Sequence, residues 1–253
     1  MLTQQRKQHI LSILQRDGQV VAKTVSQELG LSEDTIRRDL RELAQEGLLQ
    51  RVHGGALPAS PAVANFAVRE VILMDSKVAI GRAAAQLIRS GQVVILDGGT
   101  TSVQVARHLP RNLQATIVTH SARTALELVE HPTVEVILIG GRLFKHSIVS
   151  VGAAALDAIK HIRADVYFMG VTGVHPEAGL STGDLEEAYM KLALVRQAAE
   201  TFVLVSHEKL GAASQYVIAP LGDVSGLIVE ASVSDDVLLP YTDFDLTIIR
   251  AEE

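Results

Sequence analysis

The chain of 253 residues contains no cysteine, which excludes disulfides, thiolate nucleophiles, iron–sulfur ligation and cysteine zinc sites together. It also lacks any apolar run near the roughly 18 residues of a membrane span. Its first residues, Met1-Leu2-Thr3-Gln4-Gln5-Arg6-Lys7, open no signal-peptide core, so the reading is a soluble cytoplasmic protein. Charge is not heavily one-sided. The net charge of −6 argues against a protein that coats nucleic acid with its whole surface. What is present is ordinary globular material, 47% hydrophobic and 21% charged, enough for one large or two unequal domains.

The charge divides unevenly along the chain. Residues 1–56 carry eight Lys/Arg against seven Asp/Glu, and the remainder fifteen against twenty-two, which suits a small near-neutral module joined to an acidic body. The spacing predicts a helix over 3–16 capped by Thr3, a second over 22–29 closed by Gly30, and a third capped by Ser32 and running to Glu46. On the third, Ile36, Leu40 and Leu43 share one face, while Arg37, Arg38 and Arg41 lie opposite with Thr35 beside them. Residues 48–56 then read as a short hairpin closing on Gly54-Gly55, a wing beside a recognition helix. Periodicity alone leaves a second reading open. Asp34, Asp39 and Glu42 are spaced to pair with those arginines on a plain solvated helix face.

The run Leu31-Ser32-Glu33-Asp34-Thr35-Ile36-Arg37-Arg38-Asp39-Leu40, with Leu43, Gly47, Leu48, Arg51 and His53-Gly54-Gly55-Ala56, closely resembles the DNA-binding signature of DeoR-type (DeoR/GlpR-type) bacterial transcriptional regulators. The resemblance implies a winged helix-turn-helix domain over 1–57 whose Thr35, Arg37, Arg38, Arg51 and His53 approach double-stranded operator DNA. Ser32 and Arg41, on the same helix, complete the expected DNA-binding set.

Residues 58–75, which include Pro58-Ala59-Ser60-Pro61, read as a linker, and Ser76 as the cap of a helix ending near Ser90-Gly91. Over 76–253, strands and helices then alternate. The strands are expected at 92–97, 115–119, 134–139, 164–170, 201–206 and 227–230, and the helices at 101–109, 121–130, 153–160 and 185–200. This is an α/β pattern with a mainly parallel sheet, and ligands of such sheets bind beyond the carboxyl ends of the strands. Four turns on that edge carry polar or glycine-rich sequence: Asp97-Gly98-Gly99-Thr100-Thr101, Thr119-His120-Ser121, Gly140-Gly141-Arg142 and Gly170-Val171-Thr172-Gly173. The first suits a phosphate, since glycines permit close backbone approach and a helix start offers free amides. Any one turn alone is ordinary βα chemistry; together they point to a small anionic ligand. Glu187 and Lys191, at i,i+4, also read as a simple surface pair.

This part of the chain resembles the DeoR-family effector domain, similar in fold to ribose-5-phosphate isomerase. The resemblance rests on Arg69, Lys77, Ile80-Gly81, Leu96 to Thr101, Val118-Thr119, Gly140-Gly141, Gly152, Gly170 to Gly173, Glu187 with Lys191, and Lys209-Leu210-Gly211. It implies a phosphorylated sugar or sugar-acid effector bordered by Asp97, Gly99, Thr100, Thr101, Thr119, His120, Ser121, Thr172, Glu187, Lys191 and Lys209; Gly98 and Gly141 join them from their turns. His120, Ser206 and Val229-Glu230 depart from the family's usual residues and are expected to tune the ligand. His120 adds an expected pH dependence near neutrality.

An isomerase or deaminase with an accessory module is the competing class. Asp97 and Glu187 are its only base candidates in the proposed pocket, and Gly170-Val171-Thr172-Gly173 supplies no acid-rich catalytic loop. The scattered histidines show no metal-ligand spacing. The expectation is therefore a homo-oligomeric regulator, dimer or tetramer, that binds without turnover and needs no metal or cofactor. Its effector is expected to shift the population of DNA-competent arrangements, relieving repression.

Overall fold

The structure, a computed structural model, describes residues 2–60 and 66–252. The N-terminal module comprises α1 (Thr3–Asp17), β1 (Val20–Val21), α2 (Ala22–Leu29), α3 (Glu33–Gln45), β2 (Leu49–Val52) and β3 (Gly55–Pro58). The three helices fall where the periodicity places them. Two details differ: Thr3 is the first helical residue and Leu2 occupies the cap, its N–H donating to Gln5 Oε1 at 3.3 Å. The hairpin also gains a third strand, because Val20 and Val21 pair with Ala56 and Gly55. Ile10, Ile36, Leu40 and Leu43 form the centre of the small core. Asp39, expected on the arginine face, is instead buried in a two-point ion pair with Arg6 that ties α3 to α1.

The expected linker is partly folded. Residues 61–65, Pro61 among them, lie outside the described residues, but Pro58 ends β3 and α4 (Phe66–Val71) forms within the span read as linker. The next helix, α5 (Met74–Leu87), starts before Ser76, which is therefore not its cap; Leu73 takes that place at φ 50°. Lys77 Nζ donates to the carbonyls of Arg69 and Ile72, fixing the joint between the two helices.

There follow β4 (Val93–Leu96), α6 (Thr100–Arg107), β5 (Thr116–Thr119), α7 (Ala122–Glu127), β6 (Glu135–Leu138), β7 (Arg142–Phe144), β8 (Val149–Val151), α8 (Ala153–Ile159) and β9 (Ala164–Gly170). Then come β10 (Gly173–His175), β11 (Gly179–Thr182), α9 (Leu185–Val195), β12 (Ala198–Val205), β13 (Tyr216–Ala219), β14 (Gly226–Glu230), α10 (Asp235–Leu238) and β15 (Thr247–Ala251). Seven strands form one sheet in the order β15-β14-β12-β9-β4-β5-β6, with every pair parallel. Alternate residues of β9 show why it is buried on both faces: Val166 and Phe168 pack with α5 and α6, Tyr167 and Met169 with α8 and α9.

The α9 helix expected to reach Glu200 stops at Val195, since Ala198 and Glu200 pair with Ala164 and Val166 of β9. Ladder pairing overrides the helical preference of Ala and Glu there. The strand β15, the β7-β8 hairpin and the small β10-β11-β13 sheet have no counterpart in the expected list. The order in which the chain adds strands to the large sheet reverses between β4 and β9, where a doubly wound sheet opens a crevice beyond its strand ends.

Candidate functional site

A cavity opens at that reversal, built from the turns after β4, β9 and β12 and from α4, α5 and α9. Gly98, Gly99, Thr100, Thr101 and Ser102 form one wall, Gly170, Val171, Thr172 and Thr182 another. Arg69, Lys77, Ser147, Glu187, Lys191, Glu208 and Lys209 supply its polar side chains, and Ile72 an apolar one. Gly99 caps α6 at φ 108°, a conformation that disfavours any residue with a Cβ; at Gly98 a Cβ would fall 2.1 Å from Val149 Cγ1. The chain can therefore turn tightly here and present the first amides of α6, which have no helical acceptors, toward the cavity.

Asp97 lies beneath this wall and is wholly buried. Its Oδ2 accepts from Lys191 Nζ at 2.5 Å and from the Gly170 N–H at 2.8 Å, and its Oδ1 from the Gly98 N–H and His120 Nε2, both at 2.8 Å. Burial pushes the carboxyl up, but Lys191 and His120 outweigh it and hold Asp97 well below the usual carboxylate range. The carboxylate thus fixes the two central strand ends relative to each other and to α9. The Glu187–Lys191 surface pair does not form. Both residues are buried, at 6% and 4% exposure, and Glu187 Oε2 instead accepts from the Ser147 hydroxyl at 3.2 Å. Arg69 Nη2 donates to the same hydroxyl at 3.4 Å.

Lys209 is 8% exposed, faces the cavity and has no hydrogen-bond or ion-pair partner among the described residues. Burial pushes its ammonium down to about 8; Glu208 opposes that, and Lys77, Arg69 and Lys191 add to it. Two non-glycine residues with positive φ, Leu73 (50°) and Ile148 (57°), adjoin the lining residues Ile72 and Ser147, so backbone strain sits at the cavity rim.

The turns read as one edge separate into layers. Asp97, Thr119, His120 and Ser121 lie behind the lining: Thr119 Oγ1 accepts from the Ser121 N–H, Ser121 caps α7 and His120 braces Asp97. Gly141 follows the outermost strand, away from the cavity, with its Cα side against Ala155. Gly98, Gly99, Thr100, Thr101, Thr172, Glu187, Lys191 and Lys209 are brought together. Arg69 and Lys77, noted in the sequence only as part of a resemblance, line the cavity too. Glu208 and Ser147 carried no signal, because only the tertiary fold aims them there.

In the N-terminal module, Ser32 caps α3 by accepting from the Thr35 N–H at 3.3 Å. Arg38 and Arg41 are exposed with no ion pair among the described residues, whereas Arg37 is held by Glu33 at 2.7 Å. Arg51 is exposed on β2, and His53, in the wing turn, lines a shallow cleft shared with His175 and Glu177 of the larger domain. The wing strand also continues into that domain: the Ala213 N–H donates to the Pro58 carbonyl at 3.3 Å, and Ala59 forms a parallel bridge with Ala213.

A capped recognition-type helix with free arginines, joined to an α/β domain with a cation-lined cavity, defines a ligand-sensing DNA-binding regulator. Residues 6–61 match the DeoR-like helix-turn-helix domain and residues 73–231 the DeoR C terminal sensor domain. The HTH-type transcriptional regulator GlpR of Haloferax volcanii is 36% identical over 93% of each chain. The glycerol-3-phosphate regulon repressor of Escherichia coli is 29% identical over 96% of this chain and 97% of its own. Among solved structures, ribose 5-phosphate isomerase A of Methanocaldococcus jannaschii is similar over 54% of each chain, at 19% identity and a TM-score of 0.40. The chain belongs to the DeoR family, and it is a DNA-binding transcriptional regulator. Among the described residues, no helix is long and apolar enough to cross a membrane.

Proposed function

We propose that this regulator is a repressor of a carbohydrate or sugar-acid operon, released from operator DNA by a phosphorylated metabolite bound in the cavity. The observation that carries the reading is Lys209: a buried cation without a partner, in a cavity walled by the start of a helix, calls for an anion. A phosphate suits it, since the amides of Thr100, Thr101 and Ser102 and the hydroxyls of Thr100 and Thr101 donate from one wall and Lys209 and Arg69 from another. Asp97, His120, Thr119 and Ser121 act here as supports for those groups. Gly141 has no place in this version of the site.

DNA is read by α3 through Arg38 and Arg41, with Thr35, Arg37 and the wing residues Arg51 and His53 alongside. Operators of helix-turn-helix proteins present two half-sites, so the working form is a homo-oligomer, at least a dimer. The cavity and the wing are joined through one short segment. Thr172 Oγ1 lies 2.7 Å from Ser214 Oγ, and the residue before Ser214 is Ala213, which bonds to Pro58. A ligand that draws on Thr172 and Lys209 shifts the segment that holds the wing strand, and a bias of about 1–3 kcal/mol changes operator affinity about 5–150-fold.

Fluorescence anisotropy on DNA from upstream of the gene, across a salt series, with and without sugar phosphates and sugar-acid phosphates, tests the reading. Sequence-selective binding weakened by one of those ligands is expected. Thr101→Val should retain DNA binding and lose the response; a full response in that variant would displace the phosphate site.

A further inference from the structure

Glu208 is, with Glu187, one of two carboxylates that line a cavity otherwise furnished for an anion. Its Oε1 accepts from the Ser206 hydroxyl at 2.6 Å, while Oε2 is buried with no hydrogen-bond partner among the described residues. Among the described residues it forms no ion pair within 4 Å, yet its charge acts on both Lys77 and Lys209 across the cavity wall. Lys77 is already engaged with the carbonyls of Arg69 and Ile72. Glu208 is therefore held by no direct ion pair among the described residues, and a buried carboxylate oxygen without a donor is costly.

Resting on the reading of this cavity as the effector site, we propose that Glu208 selects the effector: it accepts a ligand hydroxyl and turns away a second anionic group. The ligand is then a singly phosphorylated sugar or polyol, not a phosphorylated sugar acid or a bisphosphate. Charge balance supports this. Lys191 is matched by Asp97, which leaves Arg69, Lys77 and Lys209 against Glu187 and Glu208. Three cations against two carboxylates leave one uncompensated positive charge among these lining groups. One phosphate, at about −1.5 to −2, more than uses this up, and a carboxylate added to the same molecule has no cation left to meet. Rotation about the broad terminal torsion of Glu208 lets either oxygen serve the ligand hydroxyl.

The test is calorimetric titration of the full-length protein with two matched pairs, glycerol 3-phosphate against 3-phosphoglycerate and glucose 6-phosphate against 6-phosphogluconate, with inorganic phosphate as the common reference. The wild type is expected to favour the hydroxyl-ended member of whichever pair binds by about tenfold or more, since like charges brought together in a buried site repel strongly. Glu208→Gln, which keeps size and polarity and removes the charge, should cut that ratio by about tenfold. Glu208→Ser gives the same readout if the glutamine variant does not fold. An unchanged ratio, or a wild-type preference for the acid phosphates, overturns the role of Glu208. Lys209→Met separates the two readings: if it leaves every affinity unchanged, or if no phosphate binds the wild type, the cavity itself is misassigned. Loss of binding in Lys209→Met with an unmoved ratio in Glu208→Gln leaves the site standing and removes only this inference.

Discussion

His120 Nε2 lies 2.8 Å from Asp97 Oδ1, and neither side chain has exposed surface. The other ring nitrogen, Nδ1, lies 3.0 Å from the Ser150 carbonyl, so the ring spans from the end of β5 to β8 while holding the carboxylate under the cavity floor. A residue whose type suggests ligand contact thus works as a brace. Asp97 answers to two side-chain donors and two amides from different strand turns, which makes it the most connected polar group of the site.

Removing the Asp97 charge should destabilise the whole sensor domain. Asp97→Asn leaves Lys191 buried without a counter-charge, a change that typically costs about 3–5 kcal/mol. Urea unfolding should show that loss, and the double variant Asp97→Asn/Lys191→Met should recover part of it. Equal stability of Asp97→Asn and wild type would mean that the pair does not carry the junction of β4, β9 and α9.

The arginines of α3 should separate. Arg38 is free and Arg37 is committed to Glu33, so Arg38→Ala should cost about 1–3 kcal/mol of specific operator binding, and Arg37→Ala less. Anisotropy on operator and random DNA measures both, with effector binding intact in each variant. Unchanged operator affinity in Arg38→Ala would remove α3 as the reading helix.

Effector affinity should fall as pH rises through about 8. Lys209 is charged below that value and loses its proton above it, so its attraction for an anion disappears with rising pH. Of the charged groups that face it, Glu208 favours the protonated ammonium, and Lys77, Arg69 and Lys191 oppose it. Because a bound anion favours protonated Lys209, binding at pH 8.5 should take up a proton, detectable as a buffer-dependent heat in calorimetry. Lys209→Arg should flatten the profile.

Ser214→Ala removes the hydroxyl that meets Thr172 and leaves the backbone contact of Ala213 with Pro58 in place. DNA binding and effector binding should each survive, while the effect of one on the other shrinks by at least about threefold, roughly half of a modest coupling energy. Full coupling in this variant would send the signal by another route.

By itself the sequence determined whatever depends on local periodicity and short-range chemistry. The apolar stripe of Ile36, Leu40 and Leu43, the Ser32 cap and the glycines at 30 and 54 describe the N-terminal module almost residue by residue, because a helix face and a tight turn are set within a few residues. The parallel strands β4, β5, β9 and β14 were legible for the same reason, as short apolar runs between helices. Tertiary structure decided what distance along the chain conceals. Residue type cannot say that Asp39 turns inward to Arg6, that Glu187 and Lys191 part to serve Ser147 and Asp97, or that Ala198 to Glu200 join a strand. Nor can spacing place Arg69 from α4 beside Lys209 from the turn after β12. Each outcome follows from pairing and burial between segments tens of residues apart, where an unmet charge or backbone group costs more than any local preference can return.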